Sequence, residues 1–545
     1  MFSEKQIFVV NVTWATVAVA ALIFWPIGWM GFTTSKILVL HLGIGLSCLL
    51  LYRDKIEMRR LPFYLALSYF SLNILYTLLS PAPLSSLFGV SESAQGLLTQ
   101  LIYFSCFLLA LKIKDSEEGF KWILRANALI IFYTLLQVAG LDPLARAWEM
   151  EAFLGRAFST LGNPAWLGVW LLLTFPLVLG LKKRKWLWIS IQGVALILTG
   201  SKAAMIGLIV FALGMMLVRK QERKKLMLAL VTAGLGFLVF LFQLYPDSAL
   251  LLRSLEARGV IWRNSVEMIK EQPEGYGLEM FSYFHPQFTG PELWQHEAFG
   301  ARVEHPHNQL LELWLGVGPL GVLLFYAFIF AVLIPRLKDP MAWGVLAALT
   351  AQLFGFETVA TGALMWLFLG ILSKGNEKKL SLKLLMLLLG IANLLALGLW
   401  LNHQDRVKVL ESSYQLLEQD EFSESEVSKI LDWGERFSGG RDADTVLLQA
   451  LMAARLGEEQ KARDLYQMAK EKDPYGPRTY YLGMEIFRLI GDLAGQDRSR
   501  AELCSLLPTF WNKGSSEQGR IFQKNNPWVL SLCGKLKTDP EKNQR

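Results

Sequence analysis

The sequence predicts an all-α fold: a polytopic transmembrane bundle of about 12–13 spans, a large external loop and a small C-terminal helical domain. Three observations carry this reading. Of 545 residues, 53% are apolar and only 19% are charged, with mean hydropathy +0.34. Soluble domains run near a quarter charged, so a purely soluble protein is disfavoured. The apolar residues gather in runs of roughly 20, the length a helix needs to cross a bilayer core. The charge is unevenly divided: Asn402 to Arg545 holds 21 Lys/Arg against 23 Asp/Glu, leaving 33 and 24 in Met1–Leu401. That basic excess lies between hydrophobic segments, not on a polar domain, which argues against a nucleic-acid partner.

The clear spans are 7–31, 35–52, 61–80, 96–111, 122–140, 164–181, 225–245, 307–334 and 380–401. Two further apolar stretches, 186–218 and 341–373, are interrupted near their middles. Cytoplasmic loops collect Lys and Arg. The basic clusters are Arg53/Lys55/Arg59/Arg60, Lys112/Lys114/Lys121/Arg125, Lys182–Lys185, Arg219/Lys220/Arg223/Lys224/Lys225, Arg336/Lys338 and Lys374/Lys378/Lys379/Lys383. Placing all six inside makes 186–218 a hairpin turning at Thr199–Lys202 and 341–373 a hairpin turning near Phe356–Thr361. Thirteen crossings follow, with the N-terminus in the cytoplasm. No secretory cleavage pattern follows the first segment, which reads as a retained span. The outer face receives 81–95, 141–163, 246–306 and the chain after Leu401.

The sequence thus divides into a membrane domain at 1–401, an external helical domain at 402–513 and a polar tail at 514–545, disordered over its last ten or so residues. Residues 445–474 read as two helices. Ala450, Gly457, Ala462, Tyr466, Ala469 and Pro474 fall at tetratricopeptide-repeat (TPR) spacings for small packing residues, turn and stop. PRTYYLGMEIFRLIGDLAG keeps part of the pattern. Such helix pairs make concave binding surfaces, so a protein partner at this TPR-like domain is one reading and a plain helical cap the other. Cys48 and Cys106 fall within spans as packing residues, while Cys504 and Cys533 lie outside and could pair.

Only six histidines occur, and His285, His296, His305 and His307 fall within 23 residues of the external loop, which also holds Arg253, Arg258, Arg263 and Arg302. Clustering at the outer mouth of a helix bundle, just before a span, marks this as the candidate site. His305-Pro-His307 has the form of an alternate-residue zinc pair, but no partner at characteristic spacing completes it. Neither a paired-acid metal motif nor a phosphate-cradling glycine loop occurs. No metal or cofactor is expected.

The run His307-Asn-Gln-Leu-Leu-Glu-Leu-Trp-Leu-Gly-Val-Gly-Pro-Leu-Gly, opening a span, resembles the histidine signature of the O-antigen ligase and polymerase-like superfamily. Three segments agree in order. Gly155-Arg-Ala-Phe-Ser-Thr-Leu-Gly-Asn-Pro-Ala resembles the family's Arg…Gly-Asn-Pro-Asn segment, and Thr199-Gly-Ser-Lys-Ala-Ala its Thr-x-Ser-Arg hairpin. Arg258-Gly-Val-Ile-Trp…Pro273-Glu-Gly-Tyr-Gly resembles its Arg-x-x-x-Trp…Pro-x-x-Gly-x-Gly loop segment. The resemblance covers about Gly155 to Gly370. Lys202 departs from it, standing where arginine is usual; so do the thirteenth span and the external tail.

The resemblance implies a cell-envelope transferase. It would move a glycan from a polyprenyl (undecaprenyl) pyrophosphate to a glycan, lipid or protein acceptor hydroxyl outside the cytoplasmic membrane. The residue chemistry is compatible. Fixed cations stabilise a departing pyrophosphate without a metal, with Arg258 first and Arg156 and Lys202 as helpers. His307 is the candidate base and His305 the spare. Asn308 sits beside His307, and Glu304 and Glu312 are the candidates to orient the ring. Asn163 opens a span as a polar cap and, with Glu304 and Asn308, is a candidate to bind the lipid pyrophosphate or glycan. Glu357 lies between apolar halves, where ionisable residues are often functional, but a hairpin tip places it in water. Trp262 and Trp294 could stack on sugar rings, though membrane-interface tryptophans are the plainer reading, and Gly275 and Gly277 shape the loop. A polysaccharide polymerase or protein O-oligosaccharyltransferase is the near alternative. A lipid-glycan transporter is disfavoured because the ionisable residues gather at one face and no duplication of the helix set is evident. A scaffold would not require the His/Arg cluster.

Overall fold

The computed structural model describes residues 4–25, 31–51, 56–90, 93–113, 117–145, 155–244, 248–375, 378–380, 382–416, 428, 432, 434–508, 522–523 and 526–533. Helices stand on all thirteen apolar segments. They are α1 (Glu4–Leu22), α2 (Thr34–Leu51), α3 (Arg60–Leu78) and, after the short α4 (Pro83–Phe88), α5 (Leu97–Lys112), α6 (Glu117–Val138) and α7 (Pro164–Leu179). Next come α8 (Lys185–Leu198), α9 (Lys202–Val218) and α10 (Arg223–Leu244). Helices α11 (Ser248–Glu271) and α12 (Phe281–Phe284), which form a layer external to the bundle of spans, precede α13 (Gln309–Leu333), α14 (Pro340–Gln352), α15 (Val359–Leu372) and α16 (Lys383–Leu416). Among the described residues, six helices are long and apolar enough to cross a membrane by themselves: α2, α3, α6, α10, α13 and α16. The chain is therefore an all-α, multi-pass membrane protein. Its sheet content among the described residues is one antiparallel ladder of three-residue strands, β1 (Ile56–Met58) and β2 (Lys378–Leu380), pairing Ile56 with Leu380.

Both interrupted stretches are hairpins. Thr199–Ser201 separates α8 from α9, with Ser201 Oγ accepting from Ala204 N at 3.2 Å as the N-cap. Residues 353–358 separate α14 from α15. The bundle packs α9 on α14, α2 on α16, α3 on α13 and α5 on α15. Helix α15 is apolar all round and buried along almost its whole length. Gly362 and Gly370 admit Tyr103 and the Phe107 backbone where a Cβ would collide. Several of the basic residues ascribed to the inner face end helices. Arg59 donates to Ala331 O at 2.9 Å and Leu372 O at 3.0 Å, and Arg336 donates to Leu372 O at 3.1 Å. Lys112 donates to Leu51 O and Lys374 to Ile113 O. These cations join the C-terminal ends of α2, α13 and α15 to one face, where helix dipoles favour positive charge.

Helix α13 carries a kink that fixes the external layer. Gly318 has φ +66° and Pro319 follows it. Pro319 has no N–H, so the Leu315 carbonyl four residues back lacks its helical donor. Tyr276 N fills the gap at 2.6 Å. Trp314 Nε1 donates to Pro273 O at 2.9 Å, and Tyr76 Oη to Glu274 O at 2.7 Å. Gly275, at φ +91°, lies where a Cβ would be 2.8 Å from Trp314 O, so this glycine does shape the loop.

Beyond Asn402, α16 continues without a break to Leu416. The tail then forms α17 (Ala443–Arg455), α18 (Glu459–Lys472), α19 (Pro477–Leu489) and α20 (Leu493–Ser505), with α21 (Pro527–Cys533) beyond. The two expected helices at 445–474 are present; Ala450, Ala462, Tyr466 and Ala469 are buried between them, and Gly457 turns at φ +76°. Cys504 and Cys533 form a disulfide that ties α21 to α20. The tail shares an apolar core with the external layer: Tyr480, Met484, Leu503 and Leu506 pack with Ile261, Tyr283 and Trp294. Arg302 pairs with Asp442 at 2.9 Å, and Ser85 Oγ donates to Phe437 O at 2.7 Å. Trp294 is therefore a core residue and not an interfacial anchor, because the tail covers it.

Gly318→Ala would set a Cβ 2.3 Å from Glu274 O at a strained φ. Thermal unfolding in detergent is expected to show a loss on the order of 2 kcal/mol. Gly259→Ala, whose Cβ meets nothing within 4 Å, is expected to gain up to about 1 kcal/mol.

Candidate active site

Four segments converge at the mouth of the bundle where α9, α13 and α15 begin. The first contains Arg156. Ala157 N donates to Leu198 O at 3.1 Å, pinning this strand of chain to the α8–α9 turn. Gln137 Oε1 accepts from Ser159 N at 2.7 Å and Phe158 N at 3.2 Å. Asn163 Oδ1 accepts from Ala165 N at 2.8 Å, the expected N-cap of α7. The second segment is the hairpin, which sets the half-buried Lys202 at the first position of α9. Third is α11. Arg258 and Trp262 are four residues apart and so share a helix face. Trp262 Nε1 donates to Pro306 O at 2.8 Å, which holds the histidine segment against that face. This indole secures the chain and is not merely an interface residue.

The fourth segment is 304–308. His307 sits at φ +49°, an uncommon conformation for a residue with a Cβ, and is half-buried. Asn308 spends its side-chain oxygen as the α13 N-cap, accepting from Leu310 N at 3.0 Å and Leu311 N at 3.2 Å. The structure brings the anticipated cations together: the charges of Arg258 and Arg156 both bear on Lys202, and the Arg258 charge bears on His307.

Glu312 does not orient His307. It pairs with His305, Oε2 to Nδ1 at 3.1 Å. Residues 305–308 are not helical, so the chain reverses before α13 and sets the earlier histidine over the first turn. Ser93 Oγ occupies the other His305 nitrogen at 3.0 Å. The His305 ring is 3% exposed and stacks on Phe356 with ring centroids 3.9 Å apart; the His307 ring lies 5.6 Å from the same phenyl. Burial alone would lower His305, but the Glu312 charge and hydrogen bond, then Glu279 and the half-buried Glu304, hold it up at about 9. Burial, then the charges of Arg258 and His305, push His307 down to about 3. At neutral pH the site holds an imidazolium inside and a neutral imidazole at its mouth.

Glu357 is buried, contrary to its placement in water, because loop 353–358 lies beneath the external layer. Its Oε1 accepts from Thr358 N at 3.0 Å and Thr361 Oγ1 at 2.7 Å. Gln309 Oε1 accepts from its backbone N–H at 3.1 Å. Glu357, His305, Glu312, Glu279 and Gln95 share the lining of a small cavity of about 50 Å3 with apolar and aromatic side chains. Glu279, at φ +62°, accepts from Val90 N at 3.0 Å and Gln95 N at 2.9 Å and so ties Val90 to Gln95. Ser93, Glu279 and Phe356 carry no spacing signal in the sequence. The other loop histidines are elsewhere: His285 is buried against Thr289, and His296 pairs with Glu256 at 3.0 Å. Arg263 pairs with Glu292 at 2.9 Å, and the Arg253 side chain lies outside those described.

Cations and a neutral imidazole thus gather at one mouth of a multi-pass helical bundle. Residues 186–326, from α8 into α13, match the O-antigen ligase family. An O-antigen ligase of Pseudomonas aeruginosa is 26% identical over 321 residues, covering 55% of this chain and 71% of that protein. No solved structure matches. Over this stretch the chain is similar to O-antigen ligases, a likeness that supports a glycan-transferring membrane enzyme. Lys202, Arg258 and His307 fall inside the matched domain; Arg156 and Asn163 precede it.

The His305–Glu312 pair has a pH signature. A folded-state value above the ordinary histidine range contributes stability fully present below about pH 6.5 and lost as pH rises through about 9. The melting-temperature gap between the native protein and Glu312→Gln is expected to be widest below pH 6.5 and to close above pH 9.

Proposed function

We propose that the enzyme transfers a glycan from a polyprenyl (undecaprenyl) pyrophosphate to an acceptor hydroxyl at the outer face of the cytoplasmic membrane. The observation that carries this reading is the convergence of Arg156, Lys202 and Arg258 beside a neutral, half-buried His307. The acceptor oxygen attacks the sugar carbon bonded to the pyrophosphate. That carbon–oxygen bond breaks with its electron pair leaving on the pyrophosphate, and the hydroxyl proton passes to His307. Arg258 binds two phosphate oxygens at once and stabilises the charge that develops on departure. Lys202 adds a point charge and Arg156 a second guanidinium. The Arg258 charge disfavours protonation of His307 in the empty site. Donor binding neutralises that field and raises the proton affinity of the imidazole when it is needed. Glu304 and the Asn308 amide group border the acceptor path, and Asn163 holds the α7 end of the cation cluster.

The Cys504–Cys533 disulfide supports an external tail, since such bonds persist in oxidising compartments. A TPR-like pair of helix hairpins docked on the external layer favours delivery to a protein or other macromolecular acceptor over polymerisation of repeat units.

Purified protein in detergent, given a fluorescent lipid-pyrophosphate glycan and candidate acceptors, is expected to form product. His307→Ala and Arg258→Ala should each lower turnover about 100-fold or more with the fold retained, and Arg258→Lys less severely. Full activity in His307→Ala would remove its role as base. A reporter fused at the C-terminus is expected to report the outer side; a cytoplasmic signal would reverse the proposed orientation.

A further inference from the structure

One of the two buried histidines of the loop has no part in that chemistry. His305 is one residue removed from His307 and is inaccessible to an acceptor: it is 3% exposed and both ring nitrogens are engaged. Structural filling accounts for it poorly. An apolar residue would pack on Phe356 as well, without burying a carboxylate, and a buried ion pair of this kind is seldom a net gain over an apolar one. The surroundings are built around it. Glu312 reaches back from the first turn of α13, Ser93 arrives from between Val90 and Gln95, which Glu279 ties together through two amide hydrogen bonds, and Phe356 comes from the α14–α15 turn. The same Phe356 ring is the wall on which His307 lies.

We propose that His305 is a positioning residue. Clamped as an imidazolium between Glu312 and Ser93, it locks Phe356 as the wall that orients His307, and its charge keeps His307 in the neutral form that can accept a proton. The inference rests on His307 being the base. The charged groups facing this pair are Arg258 from α11, Glu279 from the loop after it, Glu304 and Glu312 from the histidine segment and α13, and Glu357 from the turn before α15. Arg258 and His305 are the two cations acting on His307. Arg258 is spent on the donor once it binds, so His305 is the charge that remains.

The test is the pH dependence of kcat/KM, whose acid limb reports protonation of the base in the free enzyme. His305→Gln removes the cation and keeps a hydrogen-bonding side chain; its acid limb is expected to move up by about one pH unit. Glu312→Gln lets His305 lose its proton and should move the limb the same way, with the double variant shifting no further than the larger single shift. Phe356→Leu keeps the charge and removes the wall, so kcat should fall about tenfold with the limb in place and the donor KM within twofold. An unmoved limb in His305→Gln and Glu312→Gln overturns the proposal, and so does Phe356→Leu with native kcat. These outcomes are separable from the parent reading. Loss of activity in His307→Ala with an unmoved limb sinks only the role of His305, whereas a fully active His307→Ala sinks the base itself.

Discussion

A proline cannot donate a backbone hydrogen bond, and Pro319 leaves the Leu315 carbonyl open in the middle of a membrane helix. An open carbonyl in apolar surroundings is costly. Tyr276 N closes it at 2.6 Å, drawing the segment 273–277 across α13. Gly318 and Gly275 supply the backbone room for that crossing. The position of α11 follows at one end of the segment and that of Glu279 at the other. Through Trp262 on α11, the Pro306 carbonyl is held as well, so the histidine segment is fastened at both ends by one external unit. Arg258 meets His307 because of a bond missing twelve residues further along the chain.

Charge completes what the backbone arranges. The cations facing the opposite side are absorbed by helix ends, where Arg59 and Arg336 satisfy carbonyls of α13 and α15. The cations at the site mouth are arranged around a different need. Arg156, Lys202 and Arg258 arrive from three separate elements, and the charges of both arginines act on the lysine. An anion of high charge suits such a cluster. The two neighbouring histidines differ for the same reason: one faces carboxylates and the other faces arginine.

The helices were legible in the sequence because each apolar run carries its own signal, and the hairpins because basic clusters mark where a chain must return. The convergence of Arg156, Lys202, Arg258 and His307 was legible through a resemblance whose segments share an order along the chain. What escaped depends on chain reversal and on cover from distant elements. Counting five residues from His307 along a helix separates it from Glu312; the break at 305–308 instead presents His305 to that carboxylate. Glu357 is flanked by apolar halves and reads as a surface turn, yet the layer over it is written some fifty to eighty residues earlier. Trp294 has the composition of an interfacial residue, and only the docked tail makes it core.

The order of the segments along the chain has a consequence for biogenesis. A nascent chain that stops before Gln309 already holds its three cations but no Leu315 carbonyl on which Tyr276 could settle. One that stops before Leu353 has both histidines but lacks Phe356, the ring both lie against. The proposed site is therefore incomplete until the last hairpin of the bundle has been inserted, and synthesis from the N-terminus sets the order in which its parts are supplied.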